Sequence, residues 1–150
     1  MRVAEIMARP ADGLSADMPI ADVIAFFTAA GAPRRHKSYP VIDAEAHVTG
    51  MVARADVLRW TMDGWPKGER LRDLAGAQDL VVGYDDELVG QLADRMALAD
   101  VSRVPILKRG TDALVGLVAR RDLLRVRASV VRHETEREAL LRFRPRRPAT

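Results

Sequence analysis

Two aspartates occupy equivalent places in two closely similar stretches of the chain. Asp56 lies in TGMVARADVLR, residues 49–59, and Asp122 lies in VGLVARRDLLR, residues 115–125; the two stretches agree at seven of eleven positions. A carboxylate accepts hydrogen bonds, so each aspartate could bind donor groups of a ligand. Each also falls where a helix is predicted to begin, and an aspartate there often serves only as a cap or a first-turn charge. The residues alone leave both interpretations open.

Basic side chains near these stretches could bind an anionic group. Arg54 follows Ala53 in the first stretch, and two arginines follow Ala119 in the second. The full set of candidate cations is Arg54, Arg120, Arg121, His36, Lys37 and Arg103. Arginines on a helix surface are usually solvated, so the competing interpretation is a set of surface charges.

Residues for catalysis are hard to find. The histidines at positions 36, 47 and 133 are far apart and lack metal-ligand spacing, so we expect no metal site. The chain has no cysteine, and no serine, threonine or lysine stands in a nucleophile motif. A glycine-rich phosphate loop is also missing. The sequence therefore predicts a protein that is not an enzyme and requires no cofactor.

The two stretches belong to a duplication that covers most of the chain. With an offset of 68 residues, Ile20 aligns with Leu88 and Ile24 aligns with Leu92. The offset is 65 for the apolar runs 39–42 and 104–107, and 66 for the stretches that contain the aspartates. Internal repeats of this length define the architecture, so both copies must have the same fold.

Local patterns predict helix, strand, helix, strand, strand, helix in each copy. The acidic residues at 17 and 85–87 predict helix starts, and apolar residues at helical spacing follow them. The runs 39–42 and 104–107 predict strands with a proline near the start, and 47–52 and 114–118 predict the second arm of a hairpin. The last helix is predicted to run from Arg120 to Phe143.

We divide the chain into a first repeat (1–62), a linker (63–70), a second repeat (71–128), and a basic C-terminal helix with a disordered tail (129–150). A repeat of about 60 residues is marginally stable by itself. We therefore expect the two repeats to fold against each other.

Positive charge is concentrated at the C-terminal end. From Arg120 onward ten arginines face four acidic residues, although the whole chain has a net charge of only +3. Aromatic residues for base stacking are almost absent there, so the sequence favours a solvated helix surface over a nucleic-acid site. No stretch is long and apolar enough to cross a bilayer, and no signal peptide is apparent. We expect a soluble, cytoplasmic chain, or the cytosolic part of a membrane protein.

The order of motifs in both copies resembles the CBS domain, named after cystathionine β-synthase. A strand opens with a hydrophobic-Pro-hydrophobic step, a hairpin follows, and Gly-hydrophobic-hydrophobic-Ser/Thr-x-x-Asp opens a helix. The resemblance covers residues 3 to about 128, and two such domains in tandem form a Bateman module. Residues 35–43, RHKSYPVID, and 118–128, VARRDLLRVRA, are similar to the cytosolic pairs at the C-terminus of bacterial chloride channel or exchanger proteins.

The resemblance implies an α+β fold of two three-stranded sheets with flanking helices, related by a pseudo-two-fold axis. It also implies two clefts for adenosine-type ligands such as ATP, ADP, AMP or S-adenosylmethionine. In those clefts the ribose hydroxyls would bind Asp56 and Asp122, and the candidate cations named above would bind phosphate. The implied lining of the base and cleft is Tyr39, Pro40, Val104, Pro105, Ala53 and Ala119.

Both copies depart from the family motif at one position. Alanine stands at Ala53 and Ala119, where the family has Ser or Thr. The missing hydroxyl removes a hydrogen bond worth roughly 0.5–1.5 kcal/mol. Our leading hypothesis is a regulatory sensor of adenosine-type ligands that controls an attached or partner protein, such as a chloride channel.

The alternative is a dimerisation module with vestigial clefts. In either case the resemblance implies a homodimer through the helices, for which we expect an exposed apolar face. The residues of that predicted face are Val23, Phe26, Phe27, Leu92 and Met96.

Overall fold

The computed structural model describes residues 1–9, 12–29, 37–65, 69–75 and 80–142. A short 3-10 helix covers Val3–Glu5. It is followed by β1 (Leu14–Ser15), α1 (Ile20–Thr28), β2 (Ser38–Ile42), β3 (Val48–Ala53) and α2 (Arg54–Asp63). The second copy contains α3 (Leu71–Leu74), β4 (Gly83–Tyr84), α4 (Val89–Ala99), β5 (Arg103–Leu107), β6 (Leu114–Ala119) and α5 (Arg120–Arg142). The predicted order of elements is confirmed in both copies.

The strands form two sheets of three strands, in the orders β1-β2-β3 and β4-β5-β6. In each sheet the hairpin is antiparallel, and the short first strand pairs in parallel with the middle strand. The register pairs Ser38 with Ala53 and Arg103 with Ala119. The predicted α+β class with two three-stranded sheets is therefore confirmed.

A proline is tolerated in each middle strand because the neighbouring first strand is short. The carbonyl of Lys37 accepts the Arg54 N–H, and the carbonyl of Ile42 accepts the Ala16 N–H. The backbone N–H and C=O groups of the odd-numbered residues in β2 therefore point to β3, and the backbone groups of Pro40 point to the side of β1. Since β1 pairs only with Val41 and Ile42, the missing N–H of Pro40 breaks no bond of the ladder.

The first segment of each sequence copy packs on the other copy. The N–H groups of Val3 and Ala4 donate to the carbonyls of Glu87 and Asp85 at 2.9 and 3.0 Å, and Ala8 forms a bridge with Leu117. In the reciprocal direction, the N–H of Leu71 donates to the carbonyl of Met18 at 2.9 Å. The sequence repeats and the packing units of the fold therefore differ.

Gly116 allows one of these exchanged segments to approach. A Cβ at this position would lie 2.5 Å from Met7 Sδ and 3.1 Å from the carbonyl oxygen of Ala8. These distances are shorter than ordinary contacts between heavy atoms. The glycine in the second repeated stretch thus has a structural reason, which is the packing of the N-terminal segment against β6.

Two hydrophobic cores follow the packing units. The first contains Leu14, Ala16, Ile20, Val23, Phe27, Tyr39, Val41, Val52, Val57, Trp60, Leu71 and Ala75. The second contains Val3, Met7, Val89, Leu92, Met96, Val104, Ile106 and Val118. Residues 14–75 therefore supply the whole first core, whereas the second core needs residues from both ends of the described chain.

The buried faces of α1 and α4 correct the predicted alignment and the predicted dimer face. Ile20, Val23 and Phe27 are buried on α1, and Val89, Leu92 and Met96 are buried on α4. The copies therefore align here with an offset of 69 residues, since Val89 and not Leu88 matches Ile20. Of the five residues predicted to form an exposed dimer face, only Phe26 is exposed; the other four fill the cores.

The N-cap residues of α1 and α4 are Pro19 and Leu88. The acidic side chains that precede these two helices therefore do not cap them. Glu87 is instead buried, and its carboxylate accepts two hydrogen bonds of 2.6 Å from Arg95 and one of 3.0 Å from the Tyr84 N–H. Burial raises the pKa of the Glu87 carboxyl, but the bonds from Arg95 and Tyr84 outweigh this and lower it overall.

The last helix is described as far as Arg142. Its predicted end at Phe143 and the predicted disordered tail after that residue lie outside the described residues. Within the described part of the chain, no helix combines the length and the apolar character needed to span a membrane.

Candidate functional site

The two aspartates of the repeated stretches lie in the first turn of α2 and α5. The strand before each helix ends at an alanine. Ala53 has an extended backbone conformation, and Ala119 pairs with Arg103 in the sheet. Asp56 Oδ2 accepts the Ala53 N–H at 2.8 Å, and Asp122 Oδ2 accepts the Ala119 N–H at 2.8 Å. Each carboxylate therefore forms one half of a capping box, in which the side chain at the third helical position accepts the N-cap N–H; alanine at the N-cap has no acceptor for the other half.

Capping does not distinguish these aspartates from two other acids. Glu5 accepts the Arg2 N–H at 2.6 Å, and Asp73 accepts the Arg70 N–H at 2.8 Å. Asp56 Oδ1 also accepts a hydrogen bond of 3.1 Å from the Arg59 guanidinium. Because an ionised carboxylate has about four acceptor sites, these two bonds still leave room for a ligand. What sets Asp56 apart is its position on the wall of a large cavity.

A cavity of about 540 Å³ lies between the two copies. Its volume is in the range typical of small-molecule sites, about 300–1,000 Å³. In the first copy it is lined by the start of β2, part of β3 and the first turn of α2. In the second copy it is lined by the segment before β4, the segment before β5 and the first residue of β5. The lining residues are Ser38, Gly50, Met51, Ala53, Asp56, Leu80, Val81, Asp100, Val101, Ser102 and Arg103. We call it the Asp56 cleft.

A smaller cavity of about 30 Å³ lies at the equivalent place in the second copy. It is lined by Ala8, Arg103, Leu117, Val118, Ala119, Arg121 and Asp122, and we call it the Asp122 cavity. It is large enough for about one water molecule. Residues 30–36, which include the candidate cation His36, lie outside the described residues.

Of the six residues expected to line the base and cleft, Ala53 and Ala119 lie on cavity walls, whereas the other four are buried. Tyr39 packs edge-to-face against Phe26 and Phe27, with ring centroids 5.1 and 5.9 Å apart. Pro40, Val104 and Pro105 are buried in the sheets as well. Ser38 and Arg103, at the start of β2 and β5, reach the cavity walls instead.

The candidate cations differ in their placement. Arg54, Arg121 and Lys37 are exposed, and so is Arg120, which lies 3.5 Å from Asp100. Arg103 is half-buried and lines both cavities. Burial lowers the pKa of the Arg103 guanidinium, and repulsion by Arg121 lowers it further, while Asp122 and Tyr39 oppose this.

Several residues that line the cleft were not predicted from the sequence. Asp100, Val101 and Ser102 precede β5 as residues 35–37 precede β2, so the duplication offered a signal for them. Leu80 and Val81 carried no signal, because they line the cleft only through the packing of one copy on the other.

One group of possible metal ligands lies in the turn between β2 and β3. Donor atoms of Asp43, Glu45 and His47 lie within 4.8 Å of one another. Asp43 Oδ1 already accepts the N–H groups of Glu45 and His47, each at 2.9 Å. These bonds explain the Asp43 carboxylate as part of the turn.

Comparison with known protein families identifies the family of the chain. The family model for the CBS domain matches residues 3–63 and 72–129. The chain therefore belongs to the CBS domain family and contains a tandem pair. A search of curated proteins finds no match.

Solved structures of CBS domain pairs have the same fold. The pair of protein MJ0100, solved with 5′-methylthioadenosine and S-adenosyl-L-methionine, is 16% identical with a TM-score of 0.68, covering 86% of this chain and 97% of that one. The CBS domain of a membrane protein from Sphaerobacter thermophilus is 20% identical with a TM-score of 0.65, covering 83% and 86%.

A third similar structure belongs to a transporter. The cytosolic domain of the Mg²⁺ channel MgtE, solved with ATP, is 20% identical with a TM-score of 0.69. The match covers 83% of this chain and 48% of that one, so the present chain corresponds to about half of the MgtE domain. At these identities the likeness shows the fold alone.

Proposed function

We propose that this CBS pair is a regulatory module that binds an adenosine-type ligand, such as ATP, ADP, AMP or S-adenosylmethionine, in the Asp56 cleft. The observation that carries the proposal is the cavity of about 540 Å³ with Asp56 on its wall. Similar CBS pairs were solved with S-adenosyl-L-methionine or ATP, which supports this ligand class. The side chain of Asp56 is 29% exposed, so ribose hydroxyls can reach the carboxylate.

Regulation follows from the composition of the cleft wall. Asp56 and Ser38 belong to the first copy, whereas Val81 and Arg103 belong to the second. A ligand that contacts both copies stabilises the arrangement in which they best surround it. Its differential affinity for two arrangements of the copies is then the free energy available to control a partner.

We infer that the partner is a membrane transport domain. The similar MgtE domain is the cytosolic part of a channel, and residues 35–43 and 118–128 resemble the pairs of chloride channels or exchangers. A chloride channel therefore stays the specific prediction, and in that setting the module lies on the cytosolic side.

Asp56→Ala is expected to weaken binding of the tightest adenosine compound by at least about tenfold. The substitution removes hydrogen bonds from ribose hydroxyls to a charged acceptor, each worth roughly 1.5–3 kcal/mol. Asp73→Ala is the matched control, because it removes the same kind of cap from α3 and Asp73 is not among the residues that line the cleft. Titration calorimetry with the four compounds measures both variants.

Two results of this titration would count against the proposal. One is the absence of heat from every compound at millimolar concentration with the unaltered protein. The other is an equal loss of affinity in the Asp56→Ala and Asp73→Ala variants, which would assign Asp56 to helix capping alone.

Ala53→Thr is expected to improve both stability and binding. Ala53 precedes α2 in extended conformation, with φ −108° and ψ 157°, which suits a threonine N-cap. Such a cap stabilises a helix by about 1 kcal/mol, and a hydroxyl on the cleft wall adds up to about tenfold in affinity. Urea denaturation and calorimetry measure the two effects.

Ala119→Thr provides the control for this substitution. It adds the same cap to α5 but places the hydroxyl at the Asp122 cavity. Both variants should gain stability, and only Ala53→Thr should gain affinity in the Asp56 cleft. Equal gains in affinity would contradict the assignment of the ligand to that cleft.

Assembly of two copies is a second candidate function, favoured by an apolar groove of about 750 Å³ between α4 and α5. Leu88 and Leu124 line the groove and are exposed. We propose that a second copy of the chain covers this groove in a homodimer.

Leu124→Lys should then convert a dimer into a monomer in a sedimentation experiment. Leu58→Lys, at an exposed leucine on α2, is the control and should leave the dimer intact. An unaltered protein that stays monomeric at high concentration would refute the dimer.

A further inference from the structure

The last helix extends well past the rest of the fold. From Arg127 to Leu141, every residue of α5 whose side chain is described is exposed, whereas Val126 is half-buried. At 1.5 Å per residue, Arg142 at the end of α5 lies about 24 Å beyond Val126. We call residues 127–142 the arm. No residue of the arm belongs to either of the two hydrophobic cores.

Charge is distributed unevenly along the arm and the residues that follow it. Residues 127–138 contain three arginines and three glutamates, and His133 Nδ1 lies 3.9 Å from Glu136 Oε2. Residues 139–150 contain four arginines, at positions 142, 144, 146 and 147, and no acidic residue. We call residues 142–147 the basic segment. Most of the arm is therefore close to neutral, and the positive charge is concentrated at its far end.

Apolar side chains accompany these arginines. Leu140 and Leu141 are 74% and 69% exposed on the last turn of the arm, and Phe143 follows them in the sequence. Covering such side chains lowers the free energy roughly in proportion to the apolar area removed from water. Leucine and phenylalanine next to arginine form the composition of segments that lie in the interface of a lipid bilayer.

A bilayer surface suits this combination better than a nucleic acid does. Both present anionic groups to arginine. Nucleic acids without a defined sequence are bound by stacking bases on aromatic rings, and residues 139–150 contain a single aromatic residue, Phe143. The two leucines have no equivalent partner on a nucleic acid, whereas the boundary between headgroups and acyl chains covers apolar side chains.

We propose that the arm and the basic segment bind the surface of an anionic lipid bilayer. The arginines of the basic segment pair with phosphate and carboxylate groups of the lipids, and Leu140, Leu141 and Phe143 enter the boundary between headgroups and acyl chains. Binding is reversible, because a small apolar cluster with one basic patch binds far more weakly than a transmembrane helix inserts. This activity is separate from the ligand of the Asp56 cleft and goes beyond the proposed function.

Co-sedimentation with lipid vesicles measures the affinity of the full chain. The unaltered protein should bind vesicles of equal parts phosphatidylcholine and phosphatidylserine, and bind vesicles of phosphatidylcholine alone much more weakly. Arg146→Gln with Arg147→Gln should lower the affinity for the mixed vesicles about 25-fold, since each arginine near such a surface contributes about fivefold. Lys108→Gln with Arg132→Gln is the control, because it removes two exposed cations from outside the basic segment. The control should change the affinity by no more than about twofold, since salt screens charges farther apart than about 8 Å.

Tryptophan quenching reports whether the apolar side chains enter the bilayer. In Phe143→Trp, lipids brominated on their acyl chains should quench the added tryptophan. The unaltered protein is the control and should not be quenched, because Trp60 is 7% exposed and Trp65 packs against the first core. Leu140→Ser with Leu141→Ser should lower the affinity for the mixed vesicles about tenfold, because less apolar area is then removed from water.

Three results would overturn the proposal. One is no binding to the mixed vesicles at low salt. Another is binding that neither the arginine nor the leucine substitutions weaken, which would assign the lipid contact to a different surface. The third is tighter binding to a duplex oligonucleotide than to the mixed vesicles, with no effect of the leucine substitutions, which would make the basic segment a nucleic-acid site. None of these results bears on the Asp56 cleft, whose ligand is tested by calorimetry without lipid.

Discussion

Glu87→Met alone is expected to lower the free energy of unfolding by about 2–4 kcal/mol, whereas Glu87→Met with Arg95→Phe is expected to be neutral or stabilising. Glu87 is 7% exposed, and its two carboxylate oxygens each accept a 2.6 Å hydrogen bond from Arg95. Removing one member of such a pair leaves the other charge without its partner. The expected cost lies below that of a fully buried pair, because Arg95 is 41% exposed.

The duplication supplies the replacement residues. With the offset of 69 that the buried faces of α1 and α4 define, Glu87 corresponds to Met18 and Arg95 corresponds to Phe26. The first copy therefore builds the same corner with apolar side chains, and Met18 packs against its core. Importing that pair replaces a buried carboxylate and its partly exposed arginine partner with apolar side chains that the first copy has at the same positions.

Urea denaturation tests this prediction by measuring the free energy of unfolding of four proteins: the unaltered chain, each single variant and the double variant. The coupling energy between positions 87 and 95 follows from the double-mutant cycle. Additive losses in the double variant would contradict the expected compensation. Arg120→Phe is a useful control, because Arg120 forms an ion pair with Asp100 in which both side chains are exposed, and exposed pairs contribute at most about 1 kcal/mol.

The sequence predicted the local elements well because their signals are local. The proline-containing strands and the hairpins appear twice, each within one residue of its predicted bounds, and the helices α1 and α4 begin two to four residues after the acidic residues that predicted their starts. The exception is the alignment of α1 with α4. Leu88 and Val89 are adjacent apolar residues, so helical spacing alone could not decide which one faces the core; packing buries Val89 and leaves Leu88 exposed.

The candidate cleft was predicted in part for the same reason. Asp56, Ala53 and Arg103 were predicted as site residues because they lie in or beside repeated motifs, and all three line the Asp56 cleft. The shared position of Arg103 and the contributions of Leu80 and Val81 depend on how one copy packs on the other. That packing is tertiary information, and a repeated pattern contains no record of which copy a segment contacts.

A fragment of residues 12–75 is expected to fold, whereas a fragment of residues 1–62 is not, although the second corresponds to the first sequence repeat. Every residue of the first core lies between Leu14 and Ala75. Fragment 1–62 lacks Leu71, which is fully buried, and carries Val3 and Met7, whose core is in the other unit. Loss of a buried leucine side chain costs about 2–5 kcal/mol, which is comparable to the whole stability of a unit of this size.

Backbone hydrogen bonds strengthen this expectation. The segment 69–72 accepts the Ile20 N–H at its Glu69 carbonyl, and its own Leu71 and Arg72 N–H groups donate to the carbonyls of Met18 and Ala16. Fragment 1–62 loses all three bonds together with the buried leucine. Circular dichroism in urea should show a cooperative transition for 12–75 and none for 1–62. An equally cooperative transition for 1–62 would mean that the exchanged segment contributes little, and that each sequence repeat is itself the unit that folds.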